Sequence, residues 1–306
     1  MDASQFRRIG FLGLGSMGRP MVATLLNSGF RVAAYDVRPE ARQAVVTLGA
    51  EDTASPAAAA RGSDALIVMV QNYQQARAAL WGPDGGLEAL PRGALLVLMS
   101  TVAPAQAREL GAACAERGVR MLDAPVSGGP QGAAEGRLSI MVGGPAEVMA
   151  AARPLLDALG DPSRIWHVGP EPGDGQKMKM INQLLVAVNL VAVSEALTLA
   201  AKAGLDVRQA FDVVRQSAGG SWILNERGPR MLAGEFTPPR SYLDILLKDI
   251  GIVVDTADEI GHPVLLAAVA RQVYKMAAAL GFNTQDDSAV VRVYETLAGV
   301  QIGPRG

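Results

Sequence analysis

Residues 8–18 run an apolar strand straight into Gly-x-Gly-x-x-Gly, written Gly13-Leu14-Gly15-Ser16-Met17-Gly18. A helical pattern continues to Ser28, and a second apolar stretch, Phe30 to Tyr35, ends on Asp36. Strand, glycine turn, helix, strand and acid in that order are the signature of a dinucleotide-binding βαβ unit. Gly13 permits the tight turn, Gly15 leaves room for a pyrophosphate, and Gly18 lets helix and strand pack closely. Leu14, Ser16 and Met17 complete the phosphate loop, and the helix N-terminus offers it unbonded N–H groups and a positive dipole end. Asp36 stands where a carboxylate accepts from the ribose hydroxyls, so NAD is expected over NADP, whose 2′-phosphate would meet a like charge. Arg38, two residues on, could swing over and pair with such a phosphate, although Pro39 restricts its backbone.

The first half of the chain alternates strand and helix signals. Ala65 to Val70 and Ala94 to Met99 read as buried parallel strands. A helix over Pro104 to Arg117 stops at Gly118, and Val119 to Leu122, Leu138 to Val142 and Arg164 to Val168 read as further strands. The helix Pro145 to Leu159 lies between the last two. After the breaker cluster Gly169 to Gly175 every segment is helical: about Gln176 to Ala203, a helix capped by Asp206, Trp222 to Leu232, Leu243 to Ile260, Pro263 to Leu280 and Ser288 to Leu297. The expected fold class is α/β, with an N-terminal Rossmann domain, a doubly wound, mostly parallel sheet, over residues 1–170. An all-α domain for substrate binding or oligomerisation follows over 171–306, joined by one long helix. Ligands of open α/β sheets bind at the carboxyl ends of strands, so the active site is expected there, closed over by the helical domain. Val70-Gln71-Asn72 ends one such strand and is expected to line the groove.

Length and a 49% apolar composition suit two domains with sizeable cores. A net charge of −2, without long runs of one sign, argues against nucleic-acid and anionic-membrane partners. The single cysteine, Cys114, precludes an internal disulfide and fits a reducing cytoplasm. The N-terminal residues lack the basic and apolar regions of a signal peptide. Met180 to Val193 is uncharged and mostly apolar, but it is shorter than the roughly 20 residues a bilayer needs. Asn182, Gln183 and Asn189 interrupt it, and it reads as a helix buried inside the protein. The histidines, His167 and His262, have no acid partner in a motif, and no metal-ligand spacing is present. Asp286-Asp287 precedes a helix, where acids favour the dipole.

Lys177 and Lys179 sit near the start of the long helix, two residues apart and on different faces. Desolvation would lower a lysine pKa towards neutrality, where it can trade a proton. Helix position alone favours two lysines reaching solvent at a helix end. Asn182 and Gln183 lie one turn beyond Lys179 on its face, and their amides can hold a hydroxyl or carboxylate or simply bond neighbouring helices. Ser127-Gly128-Gly129 follows a strand end, where two glycines free N–H groups for a carboxylate, or form a plain turn.

Four stretches together resemble one family. They are Gly13 to Gly18 with its methionine, Asp123-Ala124-Pro125-Val126-Ser127-Gly128-Gly129, Gly173 to Gln183 with Gly-x-Gly-x-x-x-Lys-x-x-Asn-Gln, and Leu247-Lys248-Asp249. In family order and spanning nearly the whole chain, they resemble the 3-hydroxyisobutyrate dehydrogenase-like β-hydroxyacid dehydrogenases. The resemblance implies that Lys179 is the general acid/base and leaves Lys177 without a role. It also implies that Ser127, Gly128 and Gly129 anchor the substrate carboxylate, and that Asn182, Gln183 and Asp249 bind substrate. Thr101 and Lys248 would contact the cofactor. The family usually has Asn where this chain has Gln183, and many members carry Phe where it has Ser241. A smaller, more polar wall suits a hydroxylated substrate. The 217–222 loop, the stretch from Tyr242 to Ala257 and the segment 286–290 resemble the L-threonate dehydrogenase branch. The expected reaction is therefore NAD-dependent oxidation of a small hydroxy acid, L-threonate at C2, with Lys179 taking the alcohol proton. The alternatives are reduction of tartronate semialdehyde or succinate semialdehyde, and, from another class, a non-catalytic dinucleotide-binding module. A homodimer or homotetramer is expected.

Overall fold

The structure, a computed structural model, describes residues 6–304. The chain divides into two compact units, Met1–Lys179 and Met180–Gly306. The division falls inside the long helix rather than at the breaker cluster, because that helix begins by bonding to strand ends of the first unit.

The first unit runs β1 (Arg8–Leu12), α1 (Gly18–Asn27), β2 (Arg31–Tyr35), α2 (Pro39–Val46), β3 (Glu51–Asp52), α3 (Pro56–Ala60), β4 (Ala65–Val68), α4 (Tyr73–Leu80), α5 (Gly86–Ala89), β5 (Leu95–Leu98), α6 (Pro104–Glu116), β6 (Arg120–Asp123), β7 (Val126–Ser127), α7 (Gly129–Ala134), β8 (Leu138–Gly143), α8 (Ala146–Leu159) and β9 (Gly160–Gly169). One sheet holds them all, in the order β3-β2-β1-β4-β5-β6-β8-β7, with β9 paired to β8. The pairs from β3 through to β6 are parallel, β8 runs antiparallel to β6 and β7, and β9 returns parallel to β8.

β4 and β5 carry four apolar residues each, all buried, as strands covered on both faces require. Alternate residues serve opposite layers: Ile67, Leu95 and Val97 join the core that holds α1 and α8, while Leu66, Val68, Leu96 and Leu98 join the core that holds α6. Cys114 of α6 lies fully buried in the second core, where desolvation pushes its thiol up to about 12. Because the chain leaves β1 for β2 on one side and returns to β4 on the other, the order reverses at β1/β4, the place where such sheets open a crevice at their carboxyl ends.

The second unit is built on α9 (Asp174–Lys202), whose first turns belong to the first unit, followed by α10 (Val207–Arg215), α11 (Trp222–Ala233), α12 (Leu243–Glu259), α13 (Leu265–Ala279), a short 3₁₀ turn (Asp287–Val290) and α14 (Val291–Ala298). Asp206 and Ser221 cap α10 and α11 by accepting from Gln209 N–H and Leu224 N–H, both at 3.0 Å. On α12 the buried positions Leu243, Leu246, Asp249, Ile250, Val253, Val254 and Ala257 keep helical spacing. Asp249 is thus the one carboxylate on a buried stripe whose other polar member is Thr256, a placement that demands partners.

The expectation that Met180 to Val193 lies on a helix buried inside the protein holds for one face and is corrected for the other. Only one face of α9 is buried, through Ala187, Leu190, Val191 and Leu197, while Ile181, Leu185 and Leu199 are exposed. Among the described residues α9 is the one helix long and apolar enough to cross a membrane, and 44% of its most apolar window is buried in the structure.

Candidate active site

The glycine loop is built as its spacing requires. Gly13 has φ +99°, a region L side chains rarely adopt, and its N–H donates to the Tyr35 carbonyl at 2.9 Å. A Cβ there would strike the Met69 carbonyl and the Val70 side chain, and one on Gly18 would strike the Gly13 carbonyl. Gly15, by contrast, faces open space. No side chain caps α1 and no acid lies in its first turn. Beside it opens a cleft of about 440 Å³ lined by Leu14, Gly15, Ser16, Arg38, Glu40 and Ala44. Crowded where packing is needed and open where a phosphate would lie, the loop fits a dinucleotide.

Asp36, 8% exposed, has structural tasks of its own. Its Oδ2 accepts from Leu14 N–H at 2.7 Å, tying the second strand to the loop, and its Oδ1 accepts from Arg38 N–H at 2.9 Å. The Arg38 guanidinium folds back on the same carboxylate, with Nε 3.1 Å from Oδ1. Burial opposes the charge, but the Arg38 and Leu14 bonds outweigh it and hold the carboxyl below the usual range.

Further along the strand ends the structure joins residues that look unrelated in sequence. The Ser100 hydroxyl accepts from Val70 N–H at 2.8 Å. The Ser100 carbonyl accepts from Gln176 Nε2 at 3.2 Å, while Gln176 Oε1 accepts from Val102 N–H at 3.1 Å, so Gln176 brackets Thr101. Asp123, at the end of β6, accepts from Gln176 N–H through Oδ2 at 2.8 Å. Burial pushes its carboxyl up to about 6 against the Gln176 and Gly173 amides, and neighbouring Asp174 adds to the rise. Its Oδ1 is buried without a hydrogen-bond partner.

Lys177 and Lys179 part company as their spacing predicts. Lys177 reaches solvent and pairs with Asp174 at 2.7 Å, whereas Lys179 is only 6% exposed. Ser127 ends the two-residue β7 and is half-buried; Gly128 and Gly129 follow at φ +130° and +64°, both exposed. Gly129 is no loop residue but begins α7.

In the second unit, Asn182 Nδ2 donates to Gln183 Oε1 at 2.8 Å, and Gln183 Nε2 donates to Asp249 Oδ2 at 2.6 Å. Lys248 Nζ lies 2.9 Å from Asp249 Oδ1, an ion pair without hydrogen-bond geometry, so that oxygen keeps its directional capacity. Gln183 therefore acts first as a strut for Asp249, with one N–H and one lone pair already committed. This contact explains the longer arm. Asn spans one methylene less.

His167, Asp286 and Asp287 have structural tasks. His167 Nε2 donates to the Gly144 carbonyl at 2.8 Å, and His262 is exposed. Asp287 is buried against Arg227, with Nε at 2.7 Å, and desolvation pushes its carboxyl up to about 6. Asp286 accepts from Arg240 N–H at 2.8 Å. Among the described residues no group of three or more His, Cys, Asp or Glu is placed to hold a metal. The residues missed by sequence reasoning are Gln176 and Asp123; Gln176 stands in the quoted helix motif and Asp123 opens the Asp-Ala-Pro stretch, but neither spacing reveals their contact.

Residues 8–169 match the family described as the NAD binding domain of 6-phosphogluconate dehydrogenase, and residues 173–294 match that described as the NAD-binding of NADP-dependent 3-hydroxyisobutyrate dehydrogenase. The chain is similar to an L-threonate dehydrogenase of Cupriavidus necator, with 41% identity over 288 residues, 94% of this chain and 96% of that protein. It is similar to an NAD-dependent L-serine dehydrogenase of Pseudomonas aeruginosa, with 35% identity covering 96% of this chain and 99% of that protein. Among solved structures it resembles a 3-hydroxyisobutyrate dehydrogenase from Salmonella typhimurium, with TM-score 0.87 and 36% identity over 94% of this chain and 99% of that one.

Proposed function

The chain belongs to the 3-hydroxyisobutyrate dehydrogenase-like family of NAD-binding hydroxyacid dehydrogenases, and on that premise we propose that it oxidises L-threonate at C2 with Lys179 as general base. The observation that carries this reading is the burial of Lys179, 6% exposed in the opening turns of a helix whose neighbouring lysine reaches solvent. Keeping an ammonium out of water is costly, and the same burial draws a lysine pKa towards the range where it can trade a proton.

Gly13, Leu14, Gly15, Ser16, Met17 and Gly18 would hold the pyrophosphate of NAD, Asp36 its ribose, and Val70, Thr101 and Lys248 the remainder. NAD, when bound, supplies the hydride acceptor. Lys179 Nζ takes the proton of the alcohol as it is oxidised and returns it in the reverse direction. The Ser127 hydroxyl and the N–H groups at Gly128 and Gly129 bind the substrate carboxylate. Asn182 and Asp249 Oδ1 recognise hydroxyl groups, with Gln183 holding Asp249 in place. Polar recognition of this kind discriminates against a substrate that lacks the hydroxyl, because Asp249 Oδ1 then keeps its ion pair with Lys248 but gains no hydrogen bond.

We further infer a cytoplasmic homodimer or homotetramer. The buried thiol of Cys114 suits a reducing compartment. Leu265, Leu266 and Val269 of α13, between 62% and 79% exposed, suit a subunit contact.

The test is a screen of L-threonate, L-serine and 3-hydroxyisobutyrate with NAD, followed by NADH absorbance. L-threonate should give the highest kcat/KM. A higher value for either of the others overturns the substrate assignment and leaves the reaction class standing.

A further inference from the structure

We propose that Gln176 and Asp123 are positioning residues that lock the first turn of α9, and with it Lys179, to the carboxyl ends of β5 and β6. The inference rests on the reading of Lys179 as the proton carrier. Three bonds make the joint: Asp123 Oδ2 takes Gln176 N–H, and the Gln176 side chain spans Ser100 C=O and Val102 N–H. All are buried, and together they satisfy an N-terminal amide of α9 with a carboxylate from a distant strand. Ser100 extends the joint to the end of β4 through Val70 N–H. Lys179 stands three residues, about one helical turn, beyond Gln176.

A second observation, independent of the bonds, is that the joint admits no side chain. A Cβ on Gly175 would come within 2.5 Å of the Met141 carbonyl oxygen and 2.8 Å of Asp123 Oδ2. A Cβ on Gly143 would strike Asp123 Oδ1 and come within 2.5 Å of Gly175 N. The helix start therefore seats backbone against backbone on the ends of β6 and β8. Such a seat, with a bonded first turn, sets the helix height and rotation. These two coordinates decide where Nζ of Lys179 sits relative to a substrate alcohol, and a displacement of about 1 Å can cost 10²-fold in rate.

Gln176→Met removes both side-chain bonds at nearly constant length. With L-threonate, kcat should fall between about 10- and 100-fold. KM for the acid and the affinity for NAD should change by less than about threefold, and the primary isotope effect from C2-deuterated L-threonate should rise as the chemical step becomes limiting. Asp123→Ala should behave alike, and Asp123→Asn, which keeps an acceptor for Gln176 N–H, should recover most of the lost kcat. A joint that merely stabilises the fold would lower Tm and leave kcat per folded molecule and the isotope effect at wild-type values. That result overturns the proposal, as does failure of all three variants to fold. Lys179→Met run alongside separates the two readings. If it retains near-normal kcat, the role of Lys179 falls. If it is inactive while Gln176→Met matches wild type, only the positioning role falls.

Discussion

Gln183 on α9 donates its side-chain amide to Asp249 on α12 at 2.6 Å, across 66 residues of sequence. The pair explains how a carboxylate survives on the apolar stripe of α12: Oδ2 is bonded by a neutral amide, and Oδ1 lies against the Lys248 ammonium. It also makes residue 183 a determinant of where Asp249 points.

Gln183→Asn tests that relation. The shorter side chain cannot span to Oδ2, so a buried carboxylate oxygen loses its donor. We expect kcat/KM for L-threonate to fall by about tenfold or more, the usual consequence of disturbing a hydrogen bond to a charged group. The value for 3-hydroxyisobutyrate, which presents fewer hydroxyls, should fall less. Equal losses on both acids would remove Gln183 from substrate selection.

Lys179→Met keeps the bulk of the side chain and removes the proton carrier. Turnover should drop by about 10²–10⁴-fold, the worth of general acid–base catalysis, while NAD titrated by intrinsic fluorescence still binds. Near-normal turnover would exclude the proposed role.

We expect Asp36 and Arg38 to set cofactor choice together. With the guanidinium already folded on the carboxylate at 3.1 Å, a 2′-phosphate gains no unshared cation and meets a negative charge. NAD should exceed NADP by at least about tenfold in kcat/KM, roughly 1.4 kcal/mol. Asp36→Asn keeps an acceptor for Leu14 N–H, removes the repulsion and leaves Arg38 to a phosphate, so the ratio should shrink. An unchanged ratio in this variant would show that selectivity resides elsewhere.

Asp123 makes stability depend on pH in a definite direction. Its folded-state pKa of about 6 lies above the ordinary 3.8, so over that interval the folded chain holds the proton more firmly than the unfolded one. The corresponding stabilisation is fully present below about 3.8 and is lost as pH rises through about 6. Facing it are Asp174, which raises its pKa, and the Gln176 and Gly173 amides, which lower it. Asp123→Asn lacks the titration. Its unfolding free energy relative to wild type should grow by up to about 3 kcal/mol between pH 4 and pH 7, read from denaturant melts. A constant difference across that range would refute the assignment.

What the sequence carries locally it carries well. Gly13, Gly18 and Asp36 lie within one βαβ unit, and the different faces of Lys177 and Lys179 follow from helical spacing, whereas which of the two is buried does not. Features built from partners far apart in the chain leave no such trace. Gln176 and Asp123 are separated by 53 residues, and each reads as an ordinary polar residue. β3 and β7, two residues each, are too short for a period-2 pattern, and their pairing with β2 and β8 is what defines them. β9 begins at Gly160, before Asp161-Pro162-Ser163, a run with the composition of a turn; beside β8 alone, a strand tolerates a proline that an interior position would not. α3, Pro-Ala-Ala-Ala-Ala, has no amphipathic period to recognise, and only the Ser55 cap, accepting from Ala58 N–H, marks its start.

The burial of Cys114 has a practical consequence for following this enzyme in solution. A thiol with no accessible surface and a pKa near 12 offers maleimide reagents neither contact nor thiolate. The natural chain is already silent towards such labels, without any substitution in its core. A cysteine placed at exposed Glu40, on the rim of the cleft beside the phosphate loop, would be the single reactive thiol and would carry a dye to that cleft. Its fluorescence would then report cofactor arrival separately from turnover.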